Sequence, residues 1–147
     1  MKPKAPWITV YVLGLALVCS IALYGPDSSE TTMGAPNNRL AVVSSSSDPE
    51  VADRMAFMYA QNAKTQAWFD KVRLIIWGPP AKLLIRNKKL QGQVKTMMAK
   101  GVRVQACVVC ARSYNAAKDL RAMGIEVKPM GKPLSNLLKD GWKVLTL

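Results

Sequence analysis

Cys107 and Cys110 stand two residues apart in the stretch VQACVVCARSYN, residues 104–115, at the end of an apolar run. The 147-residue chain contains no histidine, so no imidazole is available to serve them. That absence removes Ser-His and Cys-His hydrolytic mechanisms, which need the base. A mononuclear zinc site needs four ligands, and two thiols do not supply them. A metal would have to be shared between subunits or be a two-coordinate soft ion such as Cu(I). Thiol chemistry itself remains: exchange with disulfides, or carriage of a persulfide sulfur, with one thiolate attacking sulfur and a neighbouring thiol resolving the product. The competing reading is two small buried side chains at a strand end.

A helix start placed at Ser113 to Asn115 would lower the pKa of a nearby thiolate through its free amides, and Arg112 adds a positive charge. Cys107 and Cys110 are therefore the candidate catalytic residues and Arg112 a candidate substrate-binding residue. Ser45 to Ser47 read as helix caps rather than as ligands. No cofactor and no metal is expected, and no Gly-rich phosphate loop occurs. The third cysteine, Cys19, lies in an apolar stretch near the amino terminus.

The elements that must position the pair alternate between strand and helix. RLAVVSS, Arg39 to Ser45, is a short β-branched strand. Asp48 can cap a helix with Pro49 at its first position, or Ser47 and Glu50 can form a capping box. The helix VADRMAFMYAQNAKTQAW follows, with Val51, Met55, Met58 and Tyr59 on one face and the methionines as core filler. KVRLIIWG, Lys71 to Gly78, is a second strand. Ala81 to Lys100 is helical with a possible break near Asn87, and Gly101 is its stop. VRVQACVV, Val102 to Val109, is a third strand. Asn115 to Met123 is a helix, IEVKPM a fourth strand, KPLSNLLKDG a short helix and WKVLTL a last strand.

This order predicts an α/β three-layer sandwich with a mostly parallel five-stranded sheet and helices on both faces. Ligands of such sheets gather beyond the carboxyl ends of the strands. Three loops should meet there: Ser44 to Asp48, Gly78 to Lys82, and Cys107 to Asn115.

One transmembrane or signal helix precedes the domain. Residues 7–24, WITVYVLGLALVCSIALY, carry no charge and as a helix would span roughly 27 Å, near the roughly 30 Å hydrocarbon core. Lys2 and Lys4 come before this stretch and Asp27 and Glu30 after it, which keeps the amino terminus inside and exports the rest. A cleavable signal peptide ending at Ser20 to Ala22 is the alternative. The expected organisation is an anchor or signal peptide over 1–25, a flexible linker over 26–38 and a folded domain over 39–147. The domain would sit in the periplasm, held to the inner membrane or released after cleavage.

The net charge is +12, all of it on residues 39–147, because the four charges before them cancel. Basic domains favour anionic partners. The densest stretch, Lys82 to Lys95, has only Trp77 near it and no recognition motif. It reads as a solvated helix face or a contact for anionic lipid, and no nucleic-acid partner is expected.

Three stretches, KVRLIIWGPPAKLL, MMAKGVRVQACVVCARSYNAAKDLRAMGIEVKPMG and LLKDGWKVLTL, together resemble the DsrE/DsrF-like group, which includes the sulfur-relay Tus proteins. The resemblance spans Arg39 to Leu147. Gly78 and Pro79 match a turn after the second strand, Lys100 to Val102 match the entry to the third strand, and Cys107 matches the cysteine that ends it. It implies a YchN-like, flavodoxin-like fold, homotrimers or homohexamers, and persulfide transfer in members that keep the cysteine. The expected function is that of a membrane-anchored sulfur-handling protein. Cys107 would carry the persulfide and Cys110 would resolve or protect it, with a small sulfur compound or a partner protein thiol on the other side. Periplasmic thiol-disulfide exchange and a non-catalytic assembly or soft-metal module are the alternatives.

Overall fold

A computed structural model describes residues 38–147. The expected membrane segment 7–24 and the tether up to Asn37 lie outside the described residues. No helix among the described residues is long and apolar enough to cross a membrane.

Five strands form one sheet: β1 (Arg39–Ser44), β2 (Lys71–Ile76), β3 (Arg103–Cys107), β4 (Glu126–Lys128) and β5 (Lys143–Thr146). Their spatial order is β4-β3-β2-β1-β5, and every neighbouring pair is parallel. The chain lays four strands in one direction, then returns past β1 to place β5 on its far side.

The helices between strands follow from local chemistry. Asp48 caps the first, its Oδ1 accepting the N–H of Glu50 at 2.7 Å and of Val51 at 3.3 Å, which satisfies amides that a helix start leaves open. This helix, α1, runs as a π-helical stretch, Val51–Phe57, into α-helical Met58–Thr65. Then come α2 (Pro80–Arg86) and α3 (Lys88–Ala99). Asn87 separates them in an extended conformation, with its Oδ1 accepting the Leu90 N–H at 3.1 Å. Gly101 ends this segment at φ +89, where an added Cβ would press on Lys64 Cε at 3.3 Å. The remaining helices are α4 (Val108–Ser113), α5 (Ala117–Ala122) and α6 (Gly131–Lys139).

The two faces of the sheet are covered unequally. Leu40, Val42, Leu74, Ile76 and Val104 face the larger core, filled by Ala52, Ala56, Phe57, Leu84, Leu90, Val94, Met97 and Leu120 from α1, α2, α3 and α5. Ala41, Val43, Ile75 and Cys107 face a smaller cluster, closed by Met130, by Leu134 and Leu137 of α6, and by Trp142. Burying a single large apolar side chain is worth about 1.5–3 kcal/mol, so the first face supplies most of the stability.

Several expected boundaries and faces are corrected. The third strand stops at Cys107, not Val109, because Val108 already begins α4; tertiary context overrides the β preference of Val108 and Val109. The helix expected over Asn115 to Met123 is present as α5, and α4 is an additional short helix before it, where strand and loop are expected from the sequence. Met55 and Met58 are not core: they are 47% and 52% exposed. The buried face of α1 is the alanine row Ala52, Ala56, Ala60 and Ala63 with Phe57. Small residues let α1 lie close on the sheet, and its π-helical turns shift the spacing that ordinary helical periodicity assumes.

Candidate functional site

Cys107 is the last residue of β3 and the residue that begins the turn into α4, at φ −68 and ψ 118. Cys110 lies in the first turn of α4. Both are free thiols; Cys107 is buried, 6% exposed, and Cys110 is half-buried. Both pack into the smaller core with Trp77, Met130 and Leu134.

The position has a topological cause. Connections leaving β1, β2 and β3 pass over the larger core, whereas the connection leaving β4 passes through α6 over the other face. Neighbouring strands whose connections part in opposite directions leave a crevice at their carboxyl ends, the usual ligand position in parallel α/β sheets. Here the strands concerned are β3 and β4, and the last residues they pair are Cys107 and Lys128.

The two sulfurs titrate in opposite directions. Burial raises the Cys107 pKa, but it is outweighed by the Cys110 amide, the Cys110 thiol and the amides of Val109 and Met130, so the net direction is down. As a neutral thiol, Cys107 makes no cap hydrogen bond of standard geometry; the surrounding amides act on the charge of the thiolate. For Cys110, burial again raises the pKa, and the S–H held by Cys107 raises it further, against the Gly78 amide. Cys107 is thus the more acidic thiol of the pair, and Cys110 the one placed to donate its S–H to it. Gly78 sits at φ +81, a left-handed conformation that glycine adopts without the steric penalty of a Cβ, and this turn brings its amide to Cys110.

Arg112 is exposed in the last turn of α4 and is not among the leading influences on either thiol. The basic residue paired with Cys107 in the sheet register is Lys128, which is likewise not among those influences and whose Nζ donates to Glu126 Oε1 at 2.6 Å. Glu126 Oε2 also accepts from Arg103 Nη2 at 2.8 Å and from Gln105 Nε2 at 2.6 Å. Sequence reasoning missed Lys128, Met130 and Trp77. The signal was present in the alternation of EVK against QAC, since parallel strands in register place their last residues side by side. Ser45 donates its hydroxyl to the Leu147 carbonyl at 3.1 Å and Ser46 Oγ accepts the Asp48 N–H at 3.1 Å, so both are engaged in loop structure. Ser47 lines a different cavity, with Pro79, Lys82, Leu83, Arg86 and Tyr114, which neither cysteine lines. Lys82, Arg86, Lys88, Lys89 and Lys95 are exposed, as a solvated helix face requires.

The sequence model of the DsrE/DsrF-like family matches residues 38–147. Comparison with curated proteins gives no match. Among solved structures, the chain is similar to a conserved protein of unknown function from Bacteroides thetaiotaomicron. The two share 30% identity and a TM-score of 0.72, over 76% of this chain and 96% of that one. A parallel sheet ordered 4-3-2-1-5, a cysteine closing its third strand and a family match over the whole described domain lead to one assignment: the chain belongs to the DsrE/DsrF-like family.

Proposed function

We propose that the domain carries sulfane sulfur on Cys107. The family points to a function of the sulfur-relay type. The observation that carries the finer reading is the placement of Cys107 at the carboxyl end of β3, with the amides of Cys110, Val109 and Met130 around it. The Cys107 thiolate attacks the outer sulfur of a donor persulfide R–S–SH, forming Cys107–S–SH and expelling R–S⁻. An acceptor thiolate then takes the outer sulfur, and Cys107 returns as thiolate. No net oxidation occurs in either step. Cys110 is kept protonated by burial and by its contact with Cys107. As a thiol it stabilises the neighbouring anion; as a thiolate it would attack the inner sulfur, closing a Cys107–Cys110 disulfide and releasing HS⁻. Its raised pKa therefore protects the loaded state. Lys128, beside Cys107, is placed to hold an anionic donor.

Mass spectrometry after exposure to a persulfide donor tests this reading. Wild-type protein should gain +32 Da on the Cys107 peptide, Cys107→Ser should gain nothing, and Cys110→Ser should load but discharge differently. Loading on Cys110 alone would reverse the roles. A protein isolated two protons lighter, with no sulfur uptake, would favour thiol-disulfide exchange through the same pair.

Residues 7–24 are proposed as a membrane anchor that places the domain in the periplasm, and the assembly as a homotrimer or homohexamer, as the family resemblance implies. A reporter active only outside the cytoplasm, fused after Leu147, should be active. Replacing Leu13 and Leu17 with Arg should silence it, since a charge at a helix centre costs about 2.5–3.5 kcal/mol on insertion scales. A soluble cytoplasmic wild-type protein would sink this part of the reading.

A further inference from the structure

The smaller-core face of the sheet changes character from its carboxyl to its amino end. One row across the strands is Val43, Ile75, Gln105 and Glu126. The next row is Ala41, Arg73 and Arg103, and the one after it Arg39 and Lys71. Arg73 and Arg103 stand directly opposite each other, an arrangement that destabilises a strand pair unless an opposite charge lies close. Arg103 has one, its Nη2 lying 2.8 Å from Glu126 Oε2. Arg73 forms no ion pair among the described residues; its guanidinium lies over the Trp142 ring, 4.5 Å from the centroid. It is half-buried. Burial first, then repulsion from Arg103, lowers its pKa, with Glu126 opposing and Arg39 adding. It remains a cation at neutral pH.

An open cavity of about 400 Å³ occupies this corner, and its lining includes Lys64, Asp70, Lys71, Arg73, Arg103 and Trp142. Four cations therefore line it with one carboxylate, and one of the four, Arg103, is already paired with Glu126. A guanidinium resting on an indole is held in place while its N–H fork stays available, and that fork matches the oxygens of a tetrahedral anion.

We propose that this cavity is a binding site for a phosphate-class oxyanion, with Arg73 as the forked donor, Lys71 as the second charge, and Lys64 and Arg103 at the rim. The anion lies between the opposed arginines and turns their repulsion into a shared contact. The site is separate from the cysteine pair, so either proposal can fail alone.

The test uses the full chain, titrated with inorganic phosphate and with glycerol phosphate at ionic strength fixed with chloride. Indole fluorescence and melting temperature are both read. Wild-type protein should give a saturable fluorescence change. Its melting temperature should rise by about 5 °C at anion roughly tenfold above half-saturation. Trp142→Phe should lose the fluorescence change and keep the thermal one. Arg73→Gln, its fold checked by circular dichroism, should weaken binding about tenfold or more, while Cys107→Ser should bind as wild type. Equal affinity for the two probes assigns the site to the free anion, and much tighter binding of the ester to a phosphomonoester such as a lipid headgroup. A response that never saturates, or one that Arg73→Gln leaves unchanged, overturns the proposal. So does Arg73→Gln altering the sedimentation of the assembly with phosphate affinity intact, which would assign the cluster to contact between copies of the chain.

Discussion

Glu126→Gln isolates the charge that ties the edge strand β4 to the rest of the sheet. Glu126 Oε1 accepts from Lys128, and Oε2 accepts from Gln105 and Arg103. These bonds, that of Lys128 foremost and with burial opposing, hold its pKa at about 2 against 4.5. Taken whole, that depression would be worth about 3 kcal/mol. The side chain is 38% exposed, however, and water screens much of the attraction, leaving about 1 kcal/mol. Because the folded pKa is depressed, this stabilisation is complete above about pH 4.5 and fades as the pH falls toward 2. Glutamine keeps one oxygen for Gln105 and Arg103, and removes the charge together with the acceptor that Lys128 uses. At pH 7 the variant should melt about 5 °C below wild type, and the gap should close as the pH approaches 2. Circular dichroism melts across that range read the difference, and acids common to both proteins cancel from it. A gap of constant size from pH 7 to pH 2, or none at pH 7, would refute the assignment of Glu126 as a depressed, charge-bearing hub.

Three further outcomes follow from particular contacts. In Cys110→Ala, Cys107 loses the S–H that helps hold its thiolate, so the pH profile of its alkylation by iodoacetamide should move to higher pH; an unmoved profile would show that Cys110 does not touch the reactive sulfur. Asn87→Ala removes the cap on α3 and should cost about 1 kcal/mol in urea unfolding, with no change in thiol reactivity. Phe57→Ala empties a 2%-exposed position in the larger core and should cost about 3–5 kcal/mol, whereas Met58→Ala, on the exposed side of the same helix, should change stability little.

What could be read from the sequence was what local chemistry dictates. The β-branched runs at Arg39 to Ser44 and Lys71 to Ile76 can only be buried strands, and Asp48-Pro49, Asn87 and Gly101 punctuate helices through hydrogen bonds and a positive φ that are local by nature. The face of α1 could not be read in this way. Met55 and Met58 look like core by hydropathy, yet the sheet beneath takes a row of alanines, and the choice depends on how close the helix must lie. The end of β3 was hidden for a similar reason. VV after Cys107 has the preference of a strand, but β4 stops at Lys128 and offers no partner beyond it, so the chain turns into α4 at once.

That early turn changes which cysteine the free amides favour. With a helix start at Ser113 or later, Cys110 would stand nearer the free amides and be the more acidic thiol. With the helix starting at Val108, Cys107 receives the amides of Val109 and Cys110 from one side and that of Met130 from the other. Cys110, inside the first turn, gives its proton toward Cys107 rather than taking charge itself. The amides and the family resemblance then both favour Cys107. One unanticipated short helix is a small error of secondary structure, but at this site it moves the free amides from Cys110 to Cys107. Lys128 entered for the same reason: its place beside Cys107 is a fact of strand register, fixed by pairing across the sheet, and chain order alone keeps the two residues twenty-one positions apart.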